Sequence, residues 1–353
     1  MICDNLDIGK VKDYLNTEGK RILVYHRDAD GVCSASLLLK FFPDFEAIPR
    51  EGPIIDSKFM KEITGMNPGM LLFLDIPIDQ EWKKVKKIRD SVPGIKIMVL
   101  DHHLMEKDLN KLGMLHINPR FDAPDIYCPA SYCIYKLFKK MGLDVEPFIW
   151  ISVIGIIGDY GFEDCGDVLQ ECVKRYPEFN HGKDIKKNGL ATAAEMISAA
   201  ITLKGGEGAK LGLEALVKSE KIEDFYHSRT FRRYREIVQR EIERITKDFE
   251  VNKEIFGKEK VIFYQISSKL NITSIMATVF TERYEDYAII VRKHSDQGWK
   301  ISLRCQKGWV NVGDLAKDCS KGIGSGGGHP KSAGALVKDW DKFKSRVLEY
   351  VKK

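Results

Sequence analysis

The sequence lacks any CxxC pair: its eight cysteines stand singly at positions 3, 33, 128, 133, 165, 172, 305 and 319. A chain of 353 residues without an export signal can bury a core large enough to need no disulfide staples, so these thiols are expected to be reduced and buried. Long apolar runs are missing as well. Runs such as Phe148 to Gly158 fall short of the ~18–20 residues a bilayer span needs, and Met1 to Lys20 is polar. No membrane and no targeting segment is expected, and hence a cytoplasmic location. Charge of one sign is also in short supply: Lys+Arg 56 against Asp+Glu 51 leaves +5, too small an excess to mark a nucleic-acid binder by global charge. Glutamine is sparse beside Lys, Glu and Ile, a compositional lean toward a thermophile that carries no functional information. What is present is 44% hydrophobic and 30% charged, which excludes a disordered tail or a fibre and allows one or two cores.

From Lys20 to about Ile117 short branched runs alternate with helical spacing. Arg21 to His26, Met70 to Asp75, Ile95 to Asp101 and Met114 to Ile117 read as buried strands, and Ser34 to Phe41 and Gln80 to Asp90 as helices. That alternation predicts a parallel α/β sheet. Tyr132 to Met141, Phe148 to Ile157 and Leu190 to Leu216 continue as helix. Ser228 to Val251 is a charged helix mixing arginines with glutamates, read as an interdomain linker whose charges pair along one face. Beyond it, strands Val261 to Ile266, Tyr287 to Val291 and Lys300 to Arg304 with helices Ile272 to Arg283 and Asp341 to Val351 predict a second, smaller α/β domain. The expected division is residues 1–227, a linker helix 228–252, and residues 253–353.

Three strands of the first domain run into side chains able to hold a metal. One leads to His26-Arg27-Asp28-Ala29-Asp30-Gly31, one to Asp75, and one to Asp101-His102-His103. In an open parallel sheet, strand carboxyl ends gather at one edge, so these clusters are expected to meet. His26, Asp28 and Asp30 stand at alternate positions that an extended backbone points one way, with Gly31 turning the chain into a helix. A single Asp after a strand is more often a helix N-cap. Caps leave His26, His102 and His103 unexplained, and these are three of only eight histidines. Carboxylates and imidazoles so gathered need cations to neutralise them; the mixed donors suit Mn²⁺, or Mg²⁺ in its place, better than Zn²⁺ in the absence of thiolates.

These residues, followed by Gly158-Asp159, resemble the four motifs of the DHH phosphoesterases in order, and Gly326-Gly327-Gly328-His329 with Ser332-Ala333-Gly334 resembles the glycine-rich motif of the associated DHHA1 domain. The resemblance, strongest toward RecJ-like nucleases and the nanoRNase branch, implies a catalytic DHH domain, a substrate-binding DHHA1 domain and two Mn²⁺ ions. His26, Asp28 and Asp75 would hold one ion, and Asp30, Asp75, His102 and Asp159 the other, with Asp75 bridging. Asp101 and His103 would be the catalytic members that hold no metal. His26 departs from the Asp that bacterial RecJ proteins often carry there. In the second domain the glycine run offers unobstructed backbone N–H groups able to cradle phosphate, against a plain hinge or hairpin loop. His329 would add a donor, and Arg304 resembles the family's substrate-gripping arginine.

The activity implied is exonucleolytic hydrolysis of single-stranded DNA or RNA in an interdomain cleft. A nanoRNase or small-nucleotide phosphodiesterase and a non-catalytic repair or replication scaffold are the alternatives. Partners implied are single-stranded nucleic acid, a repair or replication protein, and a second copy of the chain. Tyr226, Phe231, Tyr234 and Trp309 lie near basic residues as candidate base-stacking platforms, although aromatics at such positions are more often core.

Overall fold

A computed structural model describes residues 6–179 and 189–352; Cys3 therefore lies outside the described residues, and the seven other cysteines are free and buried. The chain divides into two compact units, Met1–Arg235 and Glu236–Lys353, each described by itself.

In the first unit, α1 (Ile8–Leu15) precedes β1 (Arg21–His26), α2 (Ala29–Phe41), β2 (Phe45–Arg50), α3 (Ser57–Met66), β3 (Met70–Leu74), α4 (Trp82–Ser91), β4 (Lys96–Leu100) and β5 (Leu115–Ile117). The helices α5 (Ala130–Lys140), α6 (Ile149–Gly158), α7 (Gly166–Arg175), α8 (Gly189–Lys204), α9 (Gly206–Lys218) and α10 (Ile222–Tyr226) follow, and α11 (Arg229–Asn252) starts here and ends in the second unit. The five strands are parallel in the order β2-β1-β3-β4-β5. Both faces are covered, which is why the strands read as unbroken apolar runs. Leu23 and Tyr25 of β1 with Leu72 and Leu74 of β3 face a core shared with α2, α5, α6, α8 and α9. The intervening Ile22, Val24, Leu71 and Phe73 face α3 and α4.

The structure differs from the sequence reading in identifiable places. Strand β2 escapes the pattern, being an edge strand that carries Pro49, where proline is tolerated but disguises the period. The single helix expected over 190–216 is two, α8 and α9, parted at Gly205, whose φ is +59. The paired strand stops at His26; Asp28, the N-cap of α2, is still extended, whereas Asp30 sits in the first turn of the helix rather than in the extended stretch expected for it. Gly31 is needed for close approach rather than for the turn, because a Cβ there would collide with the His26 carbonyl oxygen.

The second unit contains β6 (Glu254–Phe256), β7 (Val261–Gln265), α12 (Thr273–Arg283), β8 (Ala288–Ser295), β9 (Gly298–Arg304), α13 (Val312–Ser320), β10 (Gly324–His329), β11 (Ser332–Val337) and α14 (Trp340–Tyr350). Its six strands run in the order β10-β11-β9-β8-β7-β6, with β7 and β8 parallel and the other neighbours antiparallel. The glycine run is thus neither hinge nor loop. It is an edge strand, paired to β11 from Gly324↔Val337 to His329↔Ser332, with α13 packed on it so closely that a Cβ on Gly326 would lie 2.5 Å from the Ala316 carbonyl oxygen. In the charged helix α11, Arg244 pairs with Glu241 at 2.8 Å and Arg240 with Glu236 at 3.9 Å, as its spacing predicts. No described helix is long and apolar enough to cross a membrane.

Candidate metal centre

The strand order places β2 on one side of β1 and β3 on the other, and ligands favour the carboxyl ends of strands at such a reversal. His26 closes β1, Asp75 follows β3, Asp101, His102 and His103 follow β4, and Asp159 is the C-cap of α6. The structure brings the side chains together. His26 Nδ1 lies 2.7 Å from Asp28 Oδ2 and 3.5 Å from Asp75 Oδ2. His102 Nε2 lies 3.2 Å from Asp75 Oδ1 and 3.4 Å from Asp159 Oδ2. Asp75 therefore turns one oxygen toward each group.

Three groupings have donor atoms close enough to share an ion: His26–Asp28–Asp75, Asp30–His102–Asp159 and Asp75–His102–His103. The third was not anticipated from sequence. Asp75 is 1% exposed, yet neither carboxylate oxygen accepts a hydrogen bond from a described residue, and neither does His26 Nδ1 have a partner aligned for one. A buried carboxylate without donors is costly unless a cation faces it. Oxygen and imidazole donors without thiolate suit Mn²⁺ or Mg²⁺. The group fits a divalent ion.

Neighbouring groups fix these donors. Asp28 does act as a cap, with Oδ1 accepting from Gly31 N at 2.8 Å, but Oδ2 remains turned toward His26. Asp30 accepts from Ala130 N at 2.7 Å and Ser131 N at 3.0 Å, the first amides of α5, which leaves lone pairs on both oxygens. The space it occupies exists because residue 155 is glycine: a Cβ there would lie 2.8 Å from Asp30 Oδ1 and collide with Ser131. His26 Nε2, 3.2 Å from the Glu51 carbonyl oxygen, donates to it in the tautomer that leaves Nδ1 as an acceptor. Asp101 Oδ1 lies 2.8 Å from His103 Nδ1 and orients that ring.

Burial, reinforced by neighbouring carboxylates, pushes Asp30, Asp75 and Asp159 each up to about 7, with His102 opposing at Asp30 and Asp159. Burial would raise Asp28 too, but adjacent His26 outweighs it and holds that carboxyl below its ordinary range. Burial would lower His103, yet Asp101 outweighs it and lifts the imidazole to about 9, so it is cationic at neutral pH. A bound cation would reverse the upward shifts of the three carboxylates.

The residues expected to grip substrate belong to the second unit. Arg304 ends β9, Ser332 begins β11 opposite it, and His329 ends β10 opposite Ser332, so Arg304 and His329 share one end of the sheet. Arg304 donates to Ser274 Oγ at 2.5 Å and to Thr278 Oγ1 at 3.2 Å, which holds its fork against α12. Of the aromatics, Phe231 is buried and Tyr226 and Tyr234 pack against the same core, while Trp309 is 39% exposed. Sequence reasoning missed Glu51, Gly155 and Tyr127. Glu51 acts through its carbonyl and Gly155 through a missing atom, so neither carries a sequence signal; Tyr127 stands in a loop with no periodicity.

Residues 20–153 match the DHH family N-terminal domain, and residues 258–353 match the DHHA1 domain. No curated protein matches the chain. Among solved structures, RecJ from Thermus thermophilus in complex with Mn²⁺ superposes with a TM-score of 0.74 at 16% identity over 98% of this chain, and with Mg²⁺ at 0.66 and 16% over 98%. The chain spans only 54% and 51% of those two chains. Exonuclease RecJ bound to manganese gives 0.68 at 18% identity, covering 98% of this chain and 93% of that one. A pGpG-specific phosphodiesterase, PggH from Vibrio cholerae, gives 0.51 at 12%, covering 94% and 99%. With a DHH domain carrying every member of the metal-capable cluster but Asp159, a DHHA1 domain after it, and a fold shared with RecJ along nearly its whole length, the chain belongs to the DHH/DHHA1 family of phosphoesterases.

Proposed function

We propose that the chain is a divalent-metal phosphodiesterase that removes nucleotides from the ends of single-stranded DNA or RNA. One observation carries the reading: Asp75, fully buried with both oxygens unbonded, stands between two sets of His and Asp donors. His26, Asp28 and Asp75 would hold one Mn²⁺, and Asp30, Asp75, His102 and Asp159 a second. When bound, such a pair supplies Lewis-acid polarisation of the phosphoryl oxygen and a nucleophilic water at neutral pH. Asp101 keeps His103 protonated and aimed, so that His103 can donate to the phosphate or its leaving oxygen. Arg304 and His329 grip a second phosphate, and the narrow glycine strand leading to His329 leaves its edge open to the substrate backbone.

The small-nucleotide alternative is favoured by the likeness to a pGpG-specific phosphodiesterase of similar length. End-labelled single-stranded DNA and RNA of graded length, digested with Mn²⁺, separate the two. Stepwise shortening of long strands, faster than of the same sequence in a blunt duplex, is the expected result. Cleavage confined to dinucleotides would establish the alternative instead. In the same assay His329→Ala and Arg304→Ala are expected to retain two Mn²⁺ per chain and lose about tenfold to a hundredfold in rate, the effect of one charge-assisted contact of ~1.5–3 kcal/mol.

A further inference from the structure

Tyr127 belongs to none of the motifs, yet its hydroxyl is bound into the metal-capable cluster. The phenol O–H donates to Asp159 Oδ2 at 2.6 Å, and its ring makes a T-shaped contact with the His102 imidazole, centroids 5.3 Å apart. Two residues of the Asp30–His102–Asp159 group are thus touched by one side chain, which remains 36% exposed. The loop is itself tied down: Tyr127 N donates to Asp164 Oδ2 at 2.8 Å, and Cys128 Sγ lies 3.6 Å from the Asp164 carbonyl oxygen.

The position matters because Asp159 is the least anchored of the three. Asp30 is held by two helix amides and His102 is 2% exposed, whereas Asp159 is the C-cap of α6 and about a quarter exposed. Among the described residues no side chain other than Tyr127 donates a hydrogen bond to its carboxylate. A carboxylate on a helix terminus swings freely about χ1 and χ2 unless a donor fixes it. The same oxygen that accepts the Tyr127 hydrogen bond lies 3.4 Å from His102 Nε2, and its other lone pair is left for a cation.

We propose that Tyr127 is a positioning residue for the second metal: through its hydroxyl it orients Asp159, and through its ring it fixes the plane of His102. The inference rests on the proposed ligand role of Asp159 and adds to it a residue that makes no contact with the metal itself. Donors in this relation to a ligand are typically worth about 10–100-fold in metal affinity. Tyr127→Phe keeps the ring on His102 and removes only the hydroxyl, so it isolates the first function; Tyr127→Leu removes both.

The test is a Mn²⁺ titration of the full chain, followed by the electron paramagnetic resonance of free Mn²⁺, for wild type, Tyr127→Phe, Tyr127→Leu and Asp159→Asn. The wild type is expected to take up two ions. Tyr127→Phe should bind one ion as wild type does and the other about 10–100-fold more weakly, with Tyr127→Leu weaker again. Two unchanged isotherms, or tighter binding in Tyr127→Phe, would overturn the role assigned to Tyr127. If the wild type binds no Mn²⁺, or Asp159→Asn leaves both sites intact, it is the ligand assignment that fails. Activity need not be measured for either outcome.

Discussion

At the scale of single residues, Asp75 combines two costs: a carboxylate buried without donors and a backbone in the left-handed region, with φ +62. Among non-glycine residues Asn and Asp tolerate that conformation best, so Asp75→Asn removes the charge without adding backbone strain, whereas Ala would add about 1 kcal/mol. Asp75→Asn is expected to lower Mn²⁺ binding from two ions toward none, because the carboxylate faces both donor sets. In chelator-treated protein the same substitution is expected to raise the melting temperature, since an uncompensated buried charge has gone. Metal analysis and paired melts check this; a variant that keeps both ions and melts below wild type without metal would refute the bridging assignment.

At the scale of elements, a carboxylate that no motif includes holds the loop after β4. Asp79 is 1% exposed, and its Oδ2 accepts from Glu106 N at 2.6 Å and Lys107 N at 2.8 Å, pinning the chain that leaves His103. Asp79→Ala is expected to cost roughly 1–3 kcal/mol in unfolding free energy, while Asp79→Asn, whose carbonyl oxygen can still accept both, should lose little. Denaturant titration distinguishes the two.

That contrast marks what the sequence could disclose. Strands β1, β3, β4 and β5 were legible because burial on both faces writes them as short branched runs, and the donors from His26 to His103 because they follow those runs directly; Asp159, at the end of α6, was reached only through the family resemblance. Asp79 could not be found, since its partners are amides nearly thirty positions away. The glycine run was legible as a motif of the second domain but not as structure. Nothing in Gly324–His329 alternates, and its pairing is set by β11 and by the close seat of α13.

For the whole molecule, the cluster couples stability to pH and to metal. Asp30, Asp75 and Asp159 are each raised to about 7 from an ordinary value of 3.8, and His103 to about 9 from 6.5. A group whose folded value is raised binds protons more tightly in the folded chain, so its contribution is fully present below the unfolded value and lost as pH climbs through the folded one. Metal-free protein is therefore expected to melt at progressively lower temperature as pH rises from about 5 to about 9. Saturating Mn²⁺ should remove most of that slope, since the ion takes the protons' place. Thermal melts across the range, with and without chelator, check it; a metal-free protein that gains stability with rising pH would contradict the sign.

The parallel sheet has a consequence for the order in which the site can come into being. Its donors begin at residue 26 and end at residue 159, and parallel strands joined by crossovers place the segments that carry them, residues 26–30, 75, 102 and 159, far apart in the chain. Such contacts close late in folding, because the loops between them must be immobilised first. A chain growing from its amino terminus could present the His26 set once β3 has formed, but not the second set until α6 is complete. Metal capture would then proceed in two steps fixed by synthesis rather than by affinity, with the first ion seated before the helix that carries Asp159 has been made.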